Sequence, residues 1–190
     1  VLLPRITRDF LESLTGIEDV TEDVIIRKIF NIMESTLRTN FYIKKESCED
    51  TFISIKLNSR NIKPMPLPVP YREIYVHDVG LEGVHLRFGA VARGGLRWSD
   101  RPYDFRSEIL GLVKTQQVKN VVIVPVGSKG GFIVKKKADT KDEILSEGKK
   151  QYQKFISALL DITDNVDKRG VVKHPGQVLV YDKPDPYLVV

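Results

Sequence analysis

The sequence predicts an α/β domain in which helices cover a mixed sheet. Apolar residues recur at helical spacing in several stretches, and short apolar or alternating runs lie between them. In the second half, strands and helices alternate, which is typical of helices packed on a sheet. The 190 residues suffice for one large domain or a domain with an added subdomain. We expect residues 1–70 to form part of the same or an adjoining subdomain, and residues 71–190 to form the main α/β domain.

The first elements are a helix over about residues 21–39 and a strand over residues 51–57. Asp19 and Glu22 have the spacing of a capping box. Apolar residues then recur at helical spacing, at Ile26, Ile29, Phe30, Met33 and Leu37. Residues 63–70 contain a proline at every second position and cannot form a regular ladder, so they predict an extended connector. A proline-rich ligand for a recognition domain is the less favoured interpretation.

The second half contains paired strands, two helices and a buried strand between the helices. Residues 72–77 and 83–88 predict the paired strands. Pro102 suits the first turn of a helix whose apolar stripe is Phe105, Ile109, Leu112 and Val113. Residues 121–124 are wholly apolar, which favours a buried strand, and residues 132–134 resume extended structure. A long helix over about residues 141–163 should bury Tyr152, Phe155, Ile156, Leu159 and Leu160.

The composition excludes several classes of protein. No apolar stretch approaches the roughly 20 residues of a membrane helix, and no N-terminal stretch has the pattern of a signal peptide, so nothing in the sequence suggests secretion. The single cysteine, Cys48, excludes an internal disulfide framework and suits the cytoplasm. The three histidines are scattered without a partner at ligand spacing, so we expect no metal site. The net charge of +5 comes with interspersed carboxylates, which favours a solvated surface over a nucleic-acid partner.

Both ends of the sequence are unusual. The chain begins at Val1 and ends at the apolar run Leu188-Val189-Val190, which predicts an interrupted strand. We therefore expect the chain to be a fragment of a longer polypeptide.

Two glycine-rich segments, each with a fixed cation, are the most informative feature for function. Residues 93–100 begin Arg93-Gly94-Gly95, and residues 124–131 end Lys129-Gly130-Gly131. Both predict turns, in which glycine lets the backbone approach a ligand closely. Lys119 ends the helical stretch between them, so all three cations can reach one place.

Three converging cations fit a small dianionic molecule, because each carboxylate finds a partner. Burial and like charges disfavour an ammonium group, so a lysine in such a cluster could exchange a proton near neutral pH. The Walker pattern and the Gly-x-Gly-x-x-Gly pattern are both absent. Arg97 and Asp100 are expected to pin the first turn through an ion pair and a hydrogen bond at the start of the helix, and Trp98 is expected to pack. These arguments do not select a reaction.

The same segments resemble the glutamate dehydrogenase family, in particular its large NAD-specific bacterial type. The likeness is carried by residues 88–101, 104–108, 118–120 and 124–132, and more loosely by residues 152–165 and 185–190. The resemblance implies that Arg93 and Lys119, with Gly94 and Gly95, hold the substrate carboxylates. It implies that Lys129 is the catalytic lysine, which polarises the 2-oxo group and activates the water that hydrolyses the iminium intermediate. Arg93 replaces the lysine of the small glutamate dehydrogenases, and the segment from Lys119 to Lys129 is shorter than theirs.

The resemblance also implies a function for the parent protein. The parent would interconvert L-glutamate with 2-oxoglutarate and ammonium, would bind NAD in a domain outside these residues, and would be a homo-oligomer. Residues 71–190 would be its substrate-binding domain, truncated before the catalytic aspartate. The isolated fragment should be inactive and should not bind NAD. Two alternatives remain open on the residues alone: a sensor domain that binds a di-acid without turnover, and a basic RNA-binding module.

Overall fold

The computed structural model describes residues 2–43, 52–119 and 126–188, and it divides the chain into two compact units. The units are Val1–Glu34 and Ser35–Val190. The first contains helices α1 (Leu2–Ser13) and α2 (Val20–Glu34). The rings of Phe10 and Phe30 stack with centroids 4.4 Å apart and join the two helices.

The second unit is built on a mixed sheet. The first six strands are β1 (Thr36–Thr39), β2 (Ile53–Leu57), β3 (Arg72–His77), β4 (Leu81–Arg87), β5 (Ala92–Trp98) and β6 (Val126–Val134). Three short strands follow, β7 (Asn165–Val166), β8 (Val172–Lys173) and β9 (Leu179–Val180). Within the described residues, the main sheet has the order β5-β6-β4-β3-β2-β1-β9, and β7 pairs with β8. Of these pairs, β5 and β6 are parallel and the others are antiparallel.

Two helices cover opposite faces of this sheet. Helix α3 (Phe105–Lys119) joins β5 to β6 and buries an apolar stripe against one face, here called the α3 face. Helix α4 (Lys141–Asp161) packs on the other, here called the α4 face. Thr140 caps α4 in a capping box with Glu143. The cluster on the α3 face contains Val84, Leu86, Phe105, Ile109, Leu110, Val113 and Ile133. The cluster on the α4 face contains Phe52, Ile74, Val76, Leu81, Phe132, Phe155, Ala158, Leu159 and Ile162.

The structure confirms the predicted α/β class and corrects several elements. The first predicted helix ends at Glu34 rather than near residue 39. Residues Thr36–Thr39 instead form strand β1, which pairs with β2. Its Asp19 does accept hydrogen bonds from the Thr21 and Glu22 amides. In α4, Tyr152 and Leu160 are exposed by 44% and 54%, so the expectation that both are buried is wrong.

Both glycine-rich segments are strands rather than turns. Arg93, Gly94 and Gly95 lie within β5, and Lys129 lies in the middle of β6. Glycine is compatible with extended backbone, and neighbouring residues fill the space of the missing side chains at Gly94, Gly130 and Gly131 but not at Gly95. The predicted strand at residues 121–124 lies outside the described residues.

The main sheet continues across residue 70, where the main α/β domain is predicted to begin. Strands β1 and β2 precede this residue; β1 pairs with β2, and β2 pairs with β3 in the same sheet. Residues 63–70 contain no helix or strand. The assignment of residues 71–190 as the substrate-binding domain remains a prediction.

Candidate active site

The parallel pair β5–β6 places Arg93 and Lys129 on the same face of the sheet. Arg93 is opposite Gly127, and Lys129 is opposite Gly95 two positions further on. Side chains alternate between the faces of a strand, so Arg93 and Gly95 share one face of β5. A Cβ on Gly127 would contact Gln116 of α3, which identifies this as the α3 face and, by alternation, places Lys129 on it.

Gly94 and Gly95 allow this arrangement for different reasons. A Cβ on Gly94 would overlap the carbonyl oxygen of Ser128, so the close approach of β5 to β6 requires glycine there. At Gly95 the nearest atom to such a Cβ is the Lys129 Nζ, at 3.9 Å. The absence of a side chain at Gly95 therefore leaves room beside the ammonium group.

The ammonium group of Lys129 has no hydrogen-bond or ion-pair partner within the described ranges. The Lys129 side chain is partly buried, whereas Arg93 is exposed and likewise has no carboxylate partner in that part of the chain. The Arg93 carbonyl accepts a 3.0 Å hydrogen bond from Gln116 Nε2, which ties the start of β5 to the last turns of α3. Both cations are thus available to an added anion.

Lys119 is the last residue of α3, three residues beyond Gln116. Residues three apart lie on one side of a helix, so its backbone lies at the end of α3 that contacts Arg93 and Gly127. The Lys119 side chain is outside the described residues. The structure therefore brings together Arg93, Gly95 and Lys129, and leaves the contribution of Lys119 as a prediction.

The first glycine-rich segment is pinned by Glu108 rather than by Asp100. Arg97 Nε lies 2.7 Å from Glu108 Oε1, and Ser99 Oγ donates to Glu108 Oε2 at 2.6 Å. The predicted Arg97–Asp100 pair is not seen, because Arg97 points to the first turns of α3. Trp98 packs as expected, with its ring parallel to Phe132 and against Gly148 of α4.

The connection after β5 does not have the features of a pyrophosphate-binding loop. The connection after β5, where a parallel β-α-β unit would hold a pyrophosphate, is Ser99 to Asp104. It contains no glycine, and its one cation, Arg101, is paired with Asp104, so it offers no free positive charge to a phosphate. In the described part of the chain, no group of His, Cys, Asp or Glu side chains could hold a metal ion. None of the helices described combines the length and apolar character needed to cross a bilayer.

Sequence reasoning missed a buried ionic network on the α4 face. Arg38 is fully buried and pairs with Asp164 at 2.7 Å and with Asp182 at 2.5 Å. Lys56 lies 2.7 Å from both Asp182 and Asp185. The network fixes the segment after β9 onto the sheet. The sequence signal for this network is Lys56, a charged residue at an alternating position of a predicted strand.

Arg87 extends this network along β4, with both terminal nitrogens on Asp185 and one donating to the Tyr187 carbonyl at 2.7 Å. Burial raises the pKa of Asp164, but hydrogen bonds from Arg38, the Asp185 amide and His174 outweigh it and lower that pKa to about 2. Burial and the charge of Arg87 lower the pKa of His85 to about 4. His85 is therefore neutral at physiological pH.

Comparison with known proteins gives a consistent result. Residues 9–190 match the family described as "Bacterial NAD-glutamate dehydrogenase, catalytic domain". The chain is 49% identical over 98% of its residues to the "NAD-specific glutamate dehydrogenase" of Pseudomonas aeruginosa. It is 51% identical over 94% of its residues to the protein of the same name from Mycobacterium tuberculosis. The protein of that name from Neurospora crassa is 28% identical over 92% of the chain. The chain spans 12% of the length of each of the two bacterial relatives.

Proposed function

Because this chain belongs to the bacterial NAD-glutamate dehydrogenase family, catalytic domain, we propose that it provides the substrate-binding part of an NAD-dependent glutamate dehydrogenase. The intact protein then interconverts L-glutamate with 2-oxoglutarate and ammonium. The resemblance seen in the sequence is supported by 49% and 51% sequence identity to two bacterial relatives over nearly the whole chain. The names of the relatives favour this interpretation over a sensor domain or an RNA-binding module.

One observation carries the proposal for these residues. The Lys129 ammonium is partly buried, lies beside the open space at Gly95 and has no partner among the described residues. Structural lysines in this fold are paired: Lys56 contacts two carboxylates, and Lys154 lies 2.9 Å from Asp78. A partly buried cation left without a counter-charge is costly unless a ligand supplies one. A dicarboxylate substrate provides that charge.

We assign the substrate carboxylates to Arg93 and Lys119. The hydrogen bond from Gln116 Nε2 to the Arg93 carbonyl joins the end of α3 to the start of β5. Cations from both elements can therefore approach one ligand. Gly95 lets the ligand lie close to the backbone of β5, and Gly94 keeps β5 close to β6. Each charge-assisted hydrogen bond contributes about 1.5–3 kcal/mol. Two such contacts would fix the orientation of the substrate on the α3 face.

We assign the chemistry to Lys129. Its ammonium would donate a hydrogen bond to the 2-oxo oxygen and stabilise the negative charge that develops there. In the reverse sense it would orient the attacking water and exchange a proton with it. The connection after β5 lacks the features of a pyrophosphate-binding loop, so NAD is assigned to a part of the intact protein beyond the described residues. We also propose that the intact protein is a cytoplasmic homo-oligomer without a nucleic-acid partner. The single cysteine supports a cytoplasmic location, because the cytoplasm keeps thiols reduced.

The proposal is tested on the intact protein by following NADH formation from L-glutamate. We expect Lys129→Ala to lower kcat by about 10³-fold or more, since one group supplies both proton transfer and charge stabilisation. Lys114→Ala, at an exposed position of α3, is the matched control and should retain wild-type turnover. If the wild type is inactive and still binds 2-oxoglutarate, the sensor interpretation replaces this one.

A further inference from the structure

A small cavity lies on the α4 face, on the opposite side of the sheet from Lys129. The cavity volume is ≈ 10 Å³, which accommodates a single small ligand about the size of a water molecule and excludes a dicarboxylate. The walls combine charged, polar and apolar side chains. They consist of Lys56, Arg72, Ile74, His85, Arg87, Ile162, Thr163, Asp185, Tyr187 and Leu188.

Arg87 leaves one donor unused at this cavity. Its side chain is 7% exposed, and its terminal nitrogens are engaged by Asp185 and the Tyr187 carbonyl. Its Nε is buried with no hydrogen-bond partner in the described residues. A buried donor without an acceptor costs about 1–3 kcal/mol, and more for a charged group. Arg87 lines the cavity, so an acceptor bound there would supply the missing partner.

His85 offers a second donor on the same side. It is two residues from Arg87 along β4, so both side chains lie on the α4 face, and it is 3% exposed. Within the described ranges, its ring has no hydrogen-bond partner. A neutral imidazole carries one N–H and can donate it to a ligand in the cavity.

The charges around the cavity call for an anion rather than a water molecule. The carboxylates Asp164, Asp182 and Asp185 have cations of their own in Arg38, Lys56 and Arg87. Arg72 also lines the cavity, but it donates to the Asn58 side chain and the Tyr71 carbonyl, which are neutral. Among the described residues, Arg72 has no carboxylate partner. These four cations and three carboxylates together therefore carry an excess positive charge.

We propose that this cavity binds one monovalent anion of chloride size, held by Arg87 Nε and the His85 ring and balanced by Arg72. The anion completes the hydrogen bonds of Arg87 and neutralises the excess charge. Because Arg87 and Lys56 hold Asp185, the bound anion stabilises the attachment of residues 182–188 to the sheet. The site is separate from the di-acid site and does not depend on the proposed function.

The direct test uses crystals of the intact protein in which bromide replaces chloride, with data collected at the bromine absorption edge. We expect an anomalous peak within hydrogen-bond distance of Arg87 Nε and the His85 ring. A water molecule without anomalous signal, an empty cavity, or peaks confined to surface lysines would each overturn the proposal.

A second test measures amide hydrogen exchange of residues 182–188 in the intact protein. Chloride replaces gluconate at constant ionic strength, so that general screening does not change. We expect several-fold slower exchange that saturates with chloride, as linked binding requires. Arg72→Gln should abolish the saturation, and the control Arg101→Gln, which breaks an exposed pair with Asp104, should retain it. Exchange independent of chloride in the wild type would contradict the site.

Discussion

Lys129 and Gly95 are directly opposite each other in the parallel ladder, and the Lys129 Nζ lies 3.9 Å from where a Cβ on Gly95 would stand. Gly94, the preceding residue, faces the other way and has the Ser128 carbonyl oxygen in the position of its missing side chain. Two adjacent glycines thus serve different purposes. One lets two strands approach, and the other leaves space beside a cation.

This difference predicts opposite results for the two alanine variants. Gly94→Ala should destabilise the sheet by about 3 kcal/mol or more, because the methyl group overlaps backbone that cannot move without separating β5 from β6. Gly95→Ala should fold normally, because its methyl group makes ordinary contact with Lys129, and should weaken substrate binding by reducing the open space. Soluble yield, thermal unfolding and the KM for L-glutamate of the intact variants check both expectations.

The control for the Gly94 variant is Gly111→Ala in α3, where nothing lies within 4 Å of an added Cβ. Alanine there should be neutral or stabilising. A Gly94→Ala protein as stable as wild type, or a Gly95→Ala protein that fails to fold, would show that the strand contact is assigned to the wrong glycine.

A change at Arg93 should act on binding. Arg93→Ala removes one charge-assisted contact to a substrate carboxylate, which corresponds to about 1.5–3 kcal/mol and hence to a 10- to 100-fold increase in KM. Turnover at saturating glutamate should fall much less, because the group does not contact the reacting carbon. Steady-state kinetics of the intact variant separate the two parameters.

Arg101→Ala is the matched control for Arg93, since it removes an exposed arginine whose partner is Asp104. Its KM should equal that of wild type. A loss confined to kcat in Arg93→Ala, with KM unchanged, would place Arg93 in the chemistry rather than in the carboxylate clamp.

His85 should make stability depend on pH. Its pKa is about 4 in the folded chain against about 6.5 unfolded, so below pH 6.5 the unfolded state binds the proton first. The contribution of neutral His85 to the free energy of unfolding is therefore complete above pH 6.5. That free energy falls by about 3 kcal/mol as the pH decreases from 6.5 to 4, at about 1.4 kcal/mol per pH unit.

His85→Gln removes this titration and keeps an N–H donor. Between pH 6.5 and pH 4, the free energy of unfolding should fall by about 3 kcal/mol more in the wild type than in the variant. Hydrogen-exchange protection of strand β4 in the intact protein, at constant chloride, measures it. His77→Gln, at an exposed position of β3, controls for the loss of a histidine. A difference that stays constant with pH would show that His85 is protonated in the folded state.

The amphipathic helices of the second unit were predictable because their apolar spacing matches the faces they bury. Phe105, Ile109 and Val113 form the α3 stripe as expected, and Phe155 and Leu159 lie against the sheet from α4. Tyr152 and Leu160 belong to the same pattern in sequence but lie at the flanks of the α4 contact. Spacing identifies a face, and the width of the partner surface decides how much of it is covered.

The strands that carry the site were harder to predict. Paired glycines ordinarily indicate turns, yet Gly94 and Gly95 both lie within β5. The backbone of β6 occupies the side-chain space of Gly94, whereas the space at Gly95 stays open beside Lys129. The buried ionic network was harder still, since Lys56 contacts carboxylates that are 126 and 129 residues away in sequence. Lys56 marks a polar position in β2, but its distant partners depend on the fold and cannot be identified from the local sequence.

The most direct test of the central claim is chemical rescue of Lys129→Ala in the intact protein. If the amine of Lys129 performs the chemistry, added propylamine should restore part of the lost NADH formation from L-glutamate, in proportion to its concentration. The neutral analogue propanol should restore none, and Lys114→Ala should not respond to the amine. Turnover of Lys129→Ala equal to wild type, or loss that no amine restores while 2-oxoglutarate still binds normally, would contradict the catalytic assignment of Lys129.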